Sequence, residues 1–209
     1  MTAQNSTPSV RHVEVAIAGA GFGGLCMAIK LKEAGVHDFV ILEKAKEVGG
    51  AWRDNQYPGA ACDVQSHMYS YSFAPRSDWS KRYAPWSEIQ DYILDVTEKY
   101  GLRPHIQCNQ EVISAVFNEG TGRWTIKTAG GETIIAHHWV LASGPLHVPA
   151  IPNLKGLEKL CQDLTGRRLA WRPSKNARER PAQLVAALLA NGLPLPPPDA
   201  ATGSDLQTR

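Results

Sequence analysis

Three glycines and one acid carry the clearest chemical information in this chain. Gly19, Gly21 and Gly24 follow the GxGxxG spacing, and Glu43 stands nineteen residues beyond the last of them. Glycines at that spacing allow a tight turn, a close approach of backbone to a pyrophosphate, and close packing of a helix on a strand. An acid about 20 residues further on can accept a hydrogen bond from a ribose hydroxyl and repels a 2′-phosphate. The residues therefore point to a dinucleotide, FAD or NAD rather than NADP.

That chemistry requires a strand before the glycines and a helix after them. Val13, Val15 and Ile17 alternate as strand residues do. A helix beginning near Phe22 would direct its unpaired N–H groups and the positive end of its dipole at phosphate. Leu25, Ala28, Ile29 and Leu31 give it an apolar side, and Gly35 is placed to end it. Phe39–Leu42 reads as a second strand, apolar throughout and so buried on both faces. The expected fold class is α/β, a Rossmann-like parallel sheet.

A long stretch rich in Gly, Trp, Tyr and Ser follows, from Val48 to about Pro85, and reads as a functional loop. Ser87-Glu-Ile-Gln90 resembles a helix N-cap with Gln at the third helical position. Ile89, Tyr92, Ile93, Val96 and Tyr100 continue at helical spacing until Gly101. Val112–Phe117, Trp124–Lys127 and Thr133–Ala136, separated by turn compositions, read as an antiparallel β-meander inserted in the fold. Trp139–Ala142 reads as a further buried strand that returns to the parallel sheet. It would bring the Ser143-Gly144 turn to the nucleotide at the carboxyl ends of the strands.

Composition narrows the function classes. The chain has 209 residues and a formal net charge of +2, too mild a balance to imply a nucleic-acid partner. Cys26, Cys62, Cys108 and Cys161 stand apart from one another, without metal-ligand or disulfide-framework spacing. Adjacent His137 and His138 would face opposite sides of a strand, which argues against a shared metal. The start, Met1-Thr-Ala-Gln-Asn-Ser, lacks the basic residues of a signal peptide. No stretch has the length and apolarity of a membrane span. The expectation is a protein of the reducing cytoplasm with no membrane partner.

The stretch after Val48 contains Gly49-Gly50-Ala51-Trp52, then Tyr57-Pro-Gly-Ala-Ala-Cys-Asp63-Val64 and Gln65-Ser-His-Met-Tyr69-Ser-Tyr-Ser-Phe73. With the glycine turn, these runs resemble the Baeyer-Villiger monooxygenases, within the FAD- and NADPH-dependent flavin monooxygenases, over about residues 12–157. The resemblance implies that Gly19, Gly21, Phe22 and Gly24 lie along the FAD pyrophosphate and that Glu43 holds the adenosine ribose. It places Gly50, Ala51 and Trp52 at the flavin side, Tyr69 on the isoalloxazine, and the backbone of Val112 at the adenine end. Asp63 matches the acid beside the flavin ring, the one residue assigned a catalytic role. The implied activity uses NADPH and O2 to oxygenate a ketone or a heteroatom substrate. Ala51 stands where the family has Thr, Ala61 where many relatives have Arg, and Ala142-Ser143-Gly144 resembles an ATG-type turn.

The resemblance fades after Lys159. Asp163–Ala170 resembles the lead-in to the family's second, NADPH-binding unit, but Trp171-Arg-Pro-Ser-Lys-Asn follows with no glycine turn. The main NADPH site and the active-site arginine are thus expected to be missing, as from an internal deletion and a reading-frame change near Ala170. The expected layout is a flexible 1–11, an FAD-binding 12–157 and a divergent, partly disordered 158–209. Two other functions stay open: a non-catalytic flavin- or nucleotide-binding module, and an NAD-dependent dehydrogenase, against which the GGxW and PGAACD runs argue.

Overall fold

A computed structural model of the chain describes residues 10–57 and 59–146. The first of the two compact units into which the chain divides holds all of these except Tyr57, Gly59 and Ala60. The expected flexible start and the divergent end lie outside the described residues, apart from Val10 and Arg11, which open the first strand.

The nucleotide-type unit forms as its sequence requires. Strand β1 (Val10–Ala18) runs into the glycine turn, helix α1 (Phe22–Glu33) follows, and β2 (Phe39–Leu42) lies parallel to β1. Leu25, Ala28 and Ile29 of α1 pack on Val15, Ile17, Phe39 and Ile41. Helix α3 (Trp86–Lys99) adds Ile89, Tyr92, Ile93 and Val96 to the same cluster. The opposite face buries Ala16, Val40 and Leu42 against Ile126, Ile134 and Ala136. Val13 belongs to this second cluster, not with Val15 and Ile17 as strict alternation predicts. At the point of the switch the amides of Glu14 and Val15 both donate to the carbonyl of Asp38, while the register with β6 is kept.

The remaining strands are β3 (Ile106–Gln107), β4 (Val112–Asn118), β5 (Arg123–Thr128) and β6 (Thr133–Leu141). The sheet has six strands in the order β3-β2-β1-β6-β5-β4. Two expected strands, Thr133–Ala136 and Trp139–Ala142, are one. β6 pairs antiparallel with β5 through its first half and parallel with β1 along its length. The meander is therefore continuous with the nucleotide sheet. The end of β6 is also less buried than an apolar run implies, since Leu141 is 70% exposed.

Two local readings change in the segment before α3. The stretch from Val48 to Pro85 contains a short helix, α2 (Ala51–Asp54), a 3-10 turn at Ser66–Met68, and single bridges at Ala61–Pro85 and Tyr71–Ala74. Helix α3 starts at Trp86 after Pro85, so Ser87 lies inside the first turn and makes no cap. Pro85 sets the extended entry, and the Glu88 carboxylate turns out to accept from Ser80.

Candidate functional site

A cavity of about 760 Å³ opens at the carboxyl ends of β1, β2 and β6. That is the crevice in which open α/β sheets bind ligands, and its size suits a small-molecule or cofactor site. Its wall is built from three glycine-bearing turns. The first is Gly19-Ala20-Gly21. Gly19 has φ +97°, and a Cβ there would stand 2.6 Å from the Ala142 carbonyl oxygen, so only glycine fits. Gly21 precedes α1 and offers no side chain to the free amides of the first helical turn, where no acid is present either. An uncapped helix start facing a cavity suits an anion.

The second turn is Gly49-Gly50. The Gly49 amide donates to the Ala20 carbonyl at 2.9 Å, tying the two turns together. Gln90 of α3 fixes this turn from behind, with its Nε2 donating to the Val48 carbonyl at 2.9 Å. A Cβ on Gly50 would lie 3.2 Å from the Gly21 Cα, so the turns approach to backbone contact. The third, Ser143-Gly144, follows β6 into the cavity wall, as its return to the sheet requires.

Aromatic side chains finish one side. Trp52 Nε1 donates to Tyr69 Oη at 3.0 Å, with the rings edge to face at 5.5 Å. Phe22 meets the edge of Tyr69 at 5.4 Å. Burial raises the pKa of Tyr69 against the lowering effect of the Trp52 bond. Tyr71 Oη donates to the Phe22 carbonyl at 2.6 Å, and Tyr92 Oη donates to the Ala74 carbonyl at 2.8 Å. These two phenols fasten the loop to α1 and α3.

On the other side, Glu43 ends β2 and is 4% exposed. Its Oε2 accepts from the Ala20 amide at 2.9 Å and its Oε1 from the Ala45 amide at 2.9 Å. Arg53 Nη1 lies 3.0 Å from Oε1. Burial alone would lower the Arg53 pKa, but the bond to Asp54 and the charges of Glu43 and Asp54 outweigh it, and the net shift is upward. Gln110, Glu111 and Val112 line the cavity beyond Glu43.

Of the expected site residues, Gly19, Gly21, Phe22, Glu43, Gly50, Ala51, Trp52, Tyr69 and Val112 line this one cavity. Gly24 does not: it is buried under the Gly19 carbonyl, where a Cβ would stand 1.9 Å from the oxygen. Glycine is required there by the packing of the helix on the turn and on Ile17. Asp63 is exposed and is not among the lining residues. Arg53, Gln110, Trp139 and Leu141 line the wall without having been singled out. No spacing in the sequence marks Arg53, whose link to Glu43 exists only in the folded chain.

Parallel strands, a glycine turn feeding an uncapped helix, and a buried acid at the end of β2 define a dinucleotide-binding α/β protein. The sequence comparison is more specific: the family described as "Pyridine nucleotide-disulphide oxidoreductase" matches residues 16–177, and the chain belongs to it. A Baeyer-Villiger monooxygenase of Streptomyces coelicolor is 46% identical over 147 residues, which are 70% of this chain and 28% of that protein. Among solved structures, an oxidized steroid monooxygenase bound to NADP superposes with TM-score 0.65 at 39% identity, over 70% of this chain and 29% of that one. The OTEMO complex with FAD and NADP gives TM-score 0.65 at 27% identity, over 73% and 29%. The chain thus spans under a third of the length of these relatives. No helix among the described residues is long and apolar enough to cross a membrane.

Proposed function

We propose that the cavity holds FAD and that the chain is the first FAD-binding part of a Baeyer-Villiger-type monooxygenase. The carrying observation is the pair of opposed glycine turns, Gly19-Ala20-Gly21 and Gly49-Gly50, locked at backbone contact before an uncapped helix. A side chain at Gly19 would collide with the Ala142 carbonyl and one at Gly21 would press on the Gly50 backbone, so glycine at both positions is what lets the turns close this tightly. In this reading the amides of α1 hold the pyrophosphate and Glu43 holds the adenosine ribose. The adenine lies beyond it against Val112, and Gly50, Ala51, Trp52 and Tyr69 bound the flavin side.

FAD supplies the redox chemistry by which NADPH and O2 oxygenate a ketone or a heteroatom substrate. The chain's own contribution is placement. Trp52 and Tyr69 form a hydrogen-bonded apolar wall that excludes water from one side of the site. Asp63 is assigned a role at the rim, acting on the flavin region through charge and hydrogen bonding, since it does not line the cavity. The Cys62 amide before it is held by the Ala84 carbonyl at 2.9 Å, which anchors that part of the loop to the approach of α3.

Titration with FAD and with FMN, read by flavin fluorescence, tests the assignment. FAD should bind at least about tenfold more tightly, because FMN lacks the adenosine held by Glu43 and Val112. Equal affinities, or no binding of FAD, would overturn it.

A further inference from the structure

The ribose carboxylate does not stand alone. We infer that Arg53 is its positioning residue, and that Arg53 leaves only Glu43 Oε2 open to the nucleotide. The inference rests on the FAD reading above.

Glu43 Oε1 is engaged twice. It accepts from the Ala45 amide at 2.9 Å and is paired in charge with Arg53 Nη1 at 3.0 Å. Oε2 accepts once, from the Ala20 amide at 2.9 Å, and keeps one direction free. Ala20 is the central residue of the phosphate-side turn. The carboxylate is therefore tied to that turn by one oxygen and to Arg53 by the other, and it cannot rotate without breaking both.

Arg53 is itself held in place by its neighbours. Nη1 also donates to the Glu47 carbonyl at 2.6 Å, Nε donates to Asp54 Oδ1 at 2.9 Å, and Nη2 donates to Asp54 Oδ2 at 3.0 Å. Three of its five N–H donors thus have hydrogen-bond partners, and the ion pair with Glu43 comes in addition. Its side chain is 10% exposed. An arginine beside a ribose site can accept a 2′-phosphate, but this one is turned inward and held by two carboxylates. Formally, Glu43, Arg53 and Asp54 together carry one negative charge, which still disfavours a 2′-phosphate. The Ala20 and Ala45 amides remain without Arg53, but a buried carboxylate deprived of its ion-pair partner is strongly disfavoured, so holding Glu43 as a charged acceptor in this place depends on Arg53.

The test is a cycle between protein and ligand. Wild type and Arg53 variants are titrated with FAD and with FAD lacking the adenosine 2′-hydroxyl, read by flavin fluorescence. In wild type the missing hydroxyl should cost about tenfold or more, as for one charge-assisted hydrogen bond. In Arg53→Met the two ligands should bind within about twofold of each other, because the buried carboxylate has lost the charged partner that keeps it in place. Arg53→Lys keeps a cation near Oε1 and should preserve a ratio of at least about threefold. A merely structural role would weaken both ligands alike, so an unchanged ratio in Arg53→Met overturns the inference. Should Arg53→Met not fold, Arg53→Gln replaces it: a ratio below that of Arg53→Lys supports the inference, and equal ratios in wild type, Lys and Gln overturn it. Failure of wild type to bind FAD would overturn the FAD reading and this inference together; binding with an unchanged ratio overturns the inference alone.

Discussion

Gly24→Ala offers a sharp test of the packing beneath the glycine turn. Gly24 lies in the first turn of α1, and a Cβ there would stand 1.9 Å from the Gly19 carbonyl oxygen. Ordinary contact begins near 3.4 Å, so α1 and the Gly19 turn must separate by about 1.5 Å at that point. The obstacle is backbone, which no rotamer change relieves. Forcing extra volume into a packed site costs about 1–3 kcal/mol, and this overlap belongs at the upper end. Alanine favours the helix by about 1 kcal/mol over glycine, which offsets part of the cost. The net loss is about 2 kcal/mol, or a melting temperature lower by about 4–8 °C for a domain of this size. Gly23→Ala is the control, because its Cβ would meet only the Ala142 Cβ at an ordinary 3.8 Å. It should melt at or above wild type. Thermal unfolding followed by circular dichroism reads both. If Gly24→Ala melts with or above wild type, the close packing of α1 on the turn is not the constraint described here.

Three further outcomes follow from the site. Asp63→Ala should retain FAD within about twofold of wild type, because Asp63 is exposed and outside the cavity; loss of flavin would make Asp63 a structural anchor instead of a rim acid. Burial raises the pKa of Tyr69, Tyr71 and Tyr92 above the ordinary value of about 10. Raised folded-state values mean that their contribution to stability is complete below pH about 10 and is lost as pH rises through the folded values. Phenolate absorbance should then rise late and together with loss of circular dichroism, and ionisation of all tyrosines as in a free peptide would contradict it. The 209-residue chain, saturated with FAD, should not oxidise NADPH in a ketone-dependent way, because it contains no second GxGxxG turn. Positioning of the reactants can supply roughly 7–11 kcal/mol of barrier lowering, and it is lost without a second nucleotide site. Ester formation coupled to NADPH loss would refute this.

The first βαβ unit was legible because hydrophobic period and punctuation agree there: alternation into Gly19, a helical stripe into Gly35, and an apolar run into Glu43. α3 was legible from its stripe but not from its start, since Pro85 does by backbone what Ser87 was expected to do by hydrogen bond. His137 and His138 interrupt the apolar pattern of β6, so its sequence has the look of two strands; both are exposed, and strand pairing alone carries the chain through them. β3 is two residues long and exists only by pairing with β2, so no local signal could announce it. In the site, motif spacing pointed to Gly19, Gly21, Gly50 and Glu43, which line one cavity. It could not find Arg53, whose role depends on a contact with a residue ten positions away, across the Gly49-Gly50 turn.

The double pairing of β6 also sets an order of assembly. Val10 pairs with Thr133 and Ala18 with Leu141, partners brought together from opposite ends of the described chain. Contacts of such sequence separation form slowly, because the loop between them must close before they yield any return. The wall at Ala142 and Ser143, and the contact that makes glycine obligatory at position 19, arise only once this pairing is made. On the ribosome, the glycine turn emerges well before the strand that completes its cavity. A dinucleotide that needs the complete cavity cannot recruit the early chain. It should leave the refolding rate unchanged and slow unfolding, the pattern expected of an interaction absent from the transition state.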